Sequence, residues 1–185
     1  AKYGYANKYF AEFSFRVDGS NNFIPGRRWG FFPSFSAAWA MSNEEWFKEW
    51  KQDVLSNVKL RASTGWLGND GLVNSYSYLK TFQESTNFGY SHGGNFRPGL
   101  ILTTGGYPNP DLTWGRTHDW NFGLDLGFWG GRISVTGEYY VRYETDKITS
   151  APDYIYPPST GVEGNVPNIN FAELKAWGWD FTVNH

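Results

Sequence analysis

Six stretches of the chain alternate polar and apolar residues with a period of two, and their apolar positions are rich in Phe, Tyr and Trp. That period predicts β-strands with one dry and one wet face. The first, about residues 8–18, sets Tyr9, Ala11, Phe13, Phe15 and Val17 against Lys8, Glu12, Ser14, Arg16 and Asp18. The second, about 31–41, sets Phe35, Ala37, Trp39 and Met41 against Ser34, Ser36, Ala38 and Ala40. The third, about 58–66, alternates Val58, Leu60, Ala62, Thr64 and Trp66 with Lys59, Arg61, Ser63 and Gly65. The fourth and fifth, 120–128 and 133–141, flank Gly130-Gly131, and the sixth, about 170–185, carries Trp177, Trp179, Phe181 and Val183 on one face.

Between these stretches the signals change. Gly130-Gly131 is a two-residue hairpin signal, and residue numbers summing to 261 pair Phe128 with Ile133, Leu126 with Val135, Leu124 with Gly137, Phe122 with Tyr139 and Trp120 with Val141. The same register sets Asp125 opposite Thr136 and Asp119 opposite Arg142, so both faces are self-consistent. Ser42-Asn43-Glu44-Glu45 fits a capping box, and Trp46, Phe47, Trp50 and Val54 follow at helical spacing, predicting one short helix. Residues 19–28 read as a loop. The longest irregular region is 67–113, within which 75–82 is expected to extend the sheet; a second long loop, about 146–167, holds Pro152, Pro157, Pro158 and Gly161.

Long alternation with charge on one side and aromatics on the other is what a β-barrel wall between lipid and a wet lumen requires. The expected fold is all-β: an antiparallel transmembrane barrel section of about six strands, with long loops at the extracellular end and short turns, one of them helical, at the periplasmic end. Trp39, Phe128 and Trp129 then fall at the periplasmic interface, and Trp66, Trp114, Tyr143 and Trp177 at the outer one. Six strands cannot close a barrel wide enough to need such loops. The first residue is not Met, no signal peptide is present and the alternation runs to the final residue, so the chain reads as a section of a longer one.

Mean hydropathy of -0.53 would class the chain as soluble, but hydropathy scans look for apolar helices and are nearly blind to barrel strands. A formal charge of -2 gives no basic footprint for nucleic acid. Without Cys there is no disulfide framework, and His92, His118 and His185 lack metal-ligand spacing, so neither a metal nor a cofactor is expected.

Two patterns invite a catalytic reading. Gly89-Tyr90-Ser91-His92-Gly93 matches a nucleophile elbow, which needs a strand before it and a helix after it, yet Gly94-Asn95-Phe96-Arg97-Pro98-Gly99 follows. Asp125 and Glu138, on one face of adjacent strands, could form a glycosidase pair, but a wet wall favours ion pairing with Lys59 and Arg61 over a raised acid pKa. No catalytic residue is expected. Lys59, Arg61, Asp119, Asn121, Asp125, Glu138 and Arg142 are the lumen-facing candidates. Tyr76, Tyr78, Phe82, Tyr90, Phe96 and Tyr107, with Phe88, are loop aromatics that could stack on a ligand, contact a lid protein or pack the loop against itself.

Ordered segments along nearly the whole chain resemble SusC/RagA-type TonB-dependent outer-membrane transporters of Bacteroidota. They are Asn7-Lys8-Tyr9-Phe10 with Arg16-Val17-Asp18-Gly19-Ser20, then Arg28-Trp29-Gly30-Phe31-Phe32-Pro33-Ser34-Phe35-Ser36-Ala37-Ala38-Trp39. Next come Val58-Lys59-Leu60-Arg61-Ala62-Ser63-Thr64-Gly65 with Gly68-Asn69-Asp70, Asn109-Pro110-Asp111-Leu112-Thr113-Trp114, Gly123-Leu124-Asp125-Leu126-Gly127 and Glu138-Tyr139-Tyr140. The resemblance implies a parent barrel of roughly 22 strands with a plugged lumen, of which residues 1–185 are a section of the barrel domain. It implies import of a large nutrient such as a glycan or peptide, TonB energy, and a SusD-like surface lipoprotein as partner. The plug, TonB box and remaining strands have no counterpart in these residues. The competing reading is a secreted carbohydrate-binding or glycan-degrading β-sandwich, in which Phe13, Leu124 and Val135 would be buried between two sheets instead of facing lipid.

Overall fold

The computed structural model describes residues 1–50, 54–71, 73, 75–80, 82–85, 89–98, 101–104, 107–152, 155, 159 and 166–185. In chain order the strands are β1 (Lys2–Tyr5), β2 (Tyr9–Gly19), β3 (Trp29–Ala40), β4 (Leu55–Asn69), β5 (Phe82–Ser85), β6 (Gly89–His92), β7 (Asn95–Pro98), β8 (Ile101–Thr104), β9 (Gly115–Phe128), β10 (Ile133–Ser150) and β11 (Asn168–Asn184). A 3-10 turn (Met41–Asn43) and the helix α1 (Glu45–Trp50) join β3 to β4.

Seven strands form one open antiparallel sheet in the order β1-β2-β3-β4-β9-β10-β11. The six expected strands are therefore joined by a seventh, β1, which at four residues is too short to show a period. Every pair expected across β9 and β10 forms, from Phe128–Ile133 to Trp120–Val141, with Asp125 opposite Thr136 and Asp119 opposite Arg142. The turn itself differs. Trp129, Gly130 and Gly131 all have positive φ and the loop spans four residues, because the Trp129 N–H bonds to the Val54 carbonyl at 2.8 Å instead of closing a two-residue hairpin.

The strands also outrun the alternation. β9 begins at Gly115, although Arg116 and His118 break the apolar pattern, because its backbone keeps pairing with β4 up to Asn69. β10 continues to Ser150 past a register shift at Glu144–Lys147, where Asp146 takes φ 53°. The region expected to be irregular holds two small ribbons, β5 with β8 and β6 with β7. The expected extension of the barrel at 75–82 does not form among the described residues: 75–78 are turns, and β5, which starts at Phe82, pairs with β8 apart from the large sheet. Phe88, Pro157, Pro158 and Gly161 lie outside the described residues.

One face of the large sheet is paved with exposed rings and aliphatic chains, including Phe15, Phe35, Phe122, Leu124, Trp179 and Phe181. Leu124 is 38% exposed, and Phe13 and Val135 are half-buried. Among the described residues no second sheet covers this face, which argues against the β-sandwich. The buried cluster sits instead at the loop end: Phe23, Phe32, Val73, Leu112, Trp114 and Ile148. Trp114, expected at the outer membrane interface, packs 5.4 Å from Phe23 and 5.5 Å from Phe32, and its indole N–H donates to the Arg28 carbonyl at 3.1 Å. Alternation assigns a face only within a strand, and Trp114 precedes β9.

The opposite end is tied by Glu44. Its buried carboxylate accepts from Lys8 Nζ at 2.9 Å, the Tyr9 hydroxyl at 2.7 Å and Trp39 Nε1 at 3.2 Å, joining the β1–β2 turn to the foot of β3. The expected capping box does not form: Ser42 lies in the 3-10 turn, and its hydroxyl donates to Asn57 Oδ1 at 2.9 Å.

Candidate functional site

Strand parity puts Lys59, Arg61 and Ser63 of β4, Asp119, Asn121 and Asp125 of β9, and Glu138 and Arg142 of β10 on the polar face, since each stands opposite another member of that set or a glycine. Arg61 is their hub. Its guanidinium donates to both Asp125 oxygens, at 2.8 and 3.0 Å, and to Glu138 Oε1 at 2.7 Å, crossing from β4 over β9 to β10. Thr136 donates to Asp125 Oδ1 at 3.0 Å. A second bidentate pair, Arg142 to Asp119 at 2.7 and 3.1 Å, lies nearer the loop end. Fork-to-carboxylate geometry fixes both arginines more firmly than a single contact would.

The residue that makes room for this bridge is Gly123, opposite Arg61. A Cβ there would stand 2.9 Å from Arg61 Nη2 and 3.0 Å from Cζ, so any side chain would lift the guanidinium away from Glu138. Sequence reading missed it because the β4–β9 register is set across the long loop, not by a hairpin. Lys59 stands opposite Asp125, beside the acids as expected, and its Nζ lies 5.9 Å from the Phe10 ring centroid. A concavity of about 540 Å³ on this face is lined by Lys2, Glu12, Ser36, Lys59, Ser63 and Asn121.

The loop aromatics do not gather into one surface. Tyr76 and Tyr78 are neighbours at 6.3 Å, and the Tyr78 hydroxyl accepts from Arg28 at 3.1 Å. Tyr90 and Phe96 are exposed on opposite faces of the β6–β7 ribbon, since Tyr90 pairs with Arg97 and Phe96 with Ser91. Phe82 opens β5, and Tyr107 is exposed ahead of the segment that leads into β9. The elbow-like motif lies in the same ribbon: Ser91 is followed by a Gly93-Gly94 turn with both φ positive and then by β7, not by a helix. Two positive φ values match the turn that right-twisted hairpins favour. Strand–turn–strand geometry lacks the helix that an elbow uses to present its nucleophile.

The family model for the TonB dependent receptor-like β-barrel matches residues 1–185. The chain belongs to this family. Among similar TonB-dependent receptors are SusC of Bacteroides thetaiotaomicron, 30% identical over an alignment of 187 positions covering 98% of this chain and 17% of SusC, and receptor P3 of Formosa agariphila, 31% identical over 98% of this chain and 17% of its own length. The solved RagAB peptide transporter superposes with a TM-score of 0.80 at 26% identity, over 98% of this chain and 18% of that one. This SusC/RagA-type barrel segment thus spans less than a fifth of the length of the relatives it matches.

Proposed function

We propose that this TonB-dependent receptor segment is a section of the barrel wall of an outer-membrane transporter that imports a large nutrient, a glycan or a peptide. The carrying observation is a single sheet whose aromatic side chains are exposed on one face and whose ion pairs lie on the other, the reverse of what a soluble sheet protein needs. On this reading the aromatic face meets lipid. Lys59, Arg61, Asp119, Asn121, Asp125, Glu138 and Arg142 face the lumen, and the role is passage, not catalysis. The likeness to a protein named a peptide transporter and to SusC supports the nutrient class, a SusD-like surface lipoprotein as partner and TonB as the energy source. Tyr76, Tyr78, Phe82, Tyr90, Phe96 and Tyr107 are the residues of this segment offered to substrate or lipoprotein.

Single cysteines placed in the full receptor, reconstituted in lipid, test the wall. Spin labels at Leu124→Cys and Phe181→Cys should be relaxed by oxygen dissolved in the bilayer, and a label at Ser63→Cys by a water-soluble nickel chelate. Equal access of the chelate to all three sites would sink the reading.

A further inference from the structure

The large sheet is not one continuous ladder. β3 and β4 pair over seven positions, from Ala40–Lys59 up to Ser34–Gly65, and there the pairing stops. β2 and β3 stay paired for five positions more, to Gly19–Trp29, and β4 and β9 for four more, to Asn69–Gly115. Above Ser34 and Gly65 the sheet is therefore forked. One arm is β2–β3 and the other is the block β4–β9–β10–β11. Each arm keeps its own ladder, so the division lies between two bodies and is not the fraying of one strand. Pro33, which has no backbone N–H to donate, stands at the crotch.

Side chains close the fork. Phe32 is 6% exposed, and its ring lies against both arms: a Cβ on Gly30 of β3 or on Gly68 of β4 would overlap its Cζ. Neither position can carry a side chain while the ring is seated. Trp114 meets this ring edge-on, and Trp66 packs against the same cluster. Just beyond the arms a single carboxylate ties them. Asp70 Oδ2 accepts from the Ser20 hydroxyl at 2.6 Å and from Asn22 Nδ2 at 3.1 Å, joining the end of β4 to the end of β2.

We propose that this fork is a hinge, at which the β2–β3 arm swings from the β4–β11 block about the Ser34–Gly65 pair, with Phe32 as its latch and Asp70 as its clasp. Below that pair, parting the strands breaks ladder hydrogen bonds. Above it, parting them takes one ring out of an apolar seat and frees a few side-chain bonds that water can replace. Motion is thus concentrated at one point of the wall. On the reading of this end as extracellular, on which the use of the hinge rests though its existence does not, the swing widens the rim for a bulky cargo.

Electron–electron distance measurements between nitroxide pairs on the full receptor in vesicles test the hinge. Val17→Cys with Thr145→Cys spans the fork from β2 to β10, and Ala11→Cys with Tyr139→Cys spans the continuous ladder below it. Phe32→Ala should add to the upper pair a component longer by about one strand spacing, ~5 Å, and leave the lower pair unchanged. Asp70→Ala should do the same, and serves if Phe32→Ala does not fold. An upper pair unmoved by both variants overturns the proposal. Equal broadening of both pairs overturns it too, since Phe32 and Asp70 would then merely stabilise the whole sheet. If the upper pair lengthens as expected while labels at Leu124→Cys and Phe181→Cys meet no lipid, the hinge stands and the membrane reading has failed.

Discussion

Arg61 lies across Gly123, and the bridge from β4 to Glu138 of β10 exists because that position has no side chain. Gly123→Ala should displace the guanidinium and cost about 1–2 kcal/mol, the value of charge-assisted bonds discounted for partial exposure. Unfolding of the full receptor in urea, followed by gel mobility, measures this. The cost should largely vanish in an Arg61→Ala background, where nothing remains to be displaced.

Phe122→Arg should destabilise the receptor by about 2–4 kcal/mol if its side chain meets lipid near the bilayer centre, whereas Asn121→Arg, one residue away on the polar face, should fall within about 0.5 kcal/mol of the parent. Folding yields into vesicles at graded urea separate the two. Equal penalties would mean that both faces see the same solvent.

Glu44 gives a pH signature. Its hydrogen bond from Lys8, then those from Tyr9 and Trp39, hold its pKa at about 2, below the ordinary 4.5, against an opposing burial effect. A depressed carboxylate contributes fully above its unfolded pKa and loses that contribution as pH falls through the folded one. Thermal stability of the parent should therefore drop between pH 4.5 and pH 2 more steeply than that of Glu44→Gln, which has no proton to gain. Parallel curves would show that the carboxylate's charge is irrelevant at this turn.

Phe23 is fully buried among Phe32, Val73, Leu112, Trp114 and Ile148. Phe23→Ala should cost about 3–5 kcal/mol of local stability, read as faster protease cleavage within residues 19–28 and 70–79 while the sheet stays intact. Cleavage rates equal to the parent's would show that the cluster does not hold these loops.

The strand faces and the β9–β10 register were legible because a period of two, once anchored by a hairpin, fixes every partner. Arg61, Asp125 and Glu138 were legible as polar-face residues for the same reason. That one arginine takes both acids, leaving Lys59 to Phe10, was not, because β4 and β9 are separated by a loop whose length says nothing of register. Trp114 was misplaced on the same ground: packing between loops has no period. The Gly93-Gly94 hairpin was legible in principle from its glycine pair, but its strands of four residues are too short to alternate visibly.

β10 runs for 18 residues, while crossing a bilayer takes about 9–11 tilted residues. At roughly 3.3 Å per residue and a tilt near 45°, it climbs about 40 Å, against an apolar band about 25 Å tall. On the membrane reading proposed above, the surplus is a parapet of paired strand standing some 15 Å proud of the bilayer. Anything arriving from outside would then pass the loops first and a rim of paired strands next, so the entrance has a hydrogen-bonded frame beneath its loops.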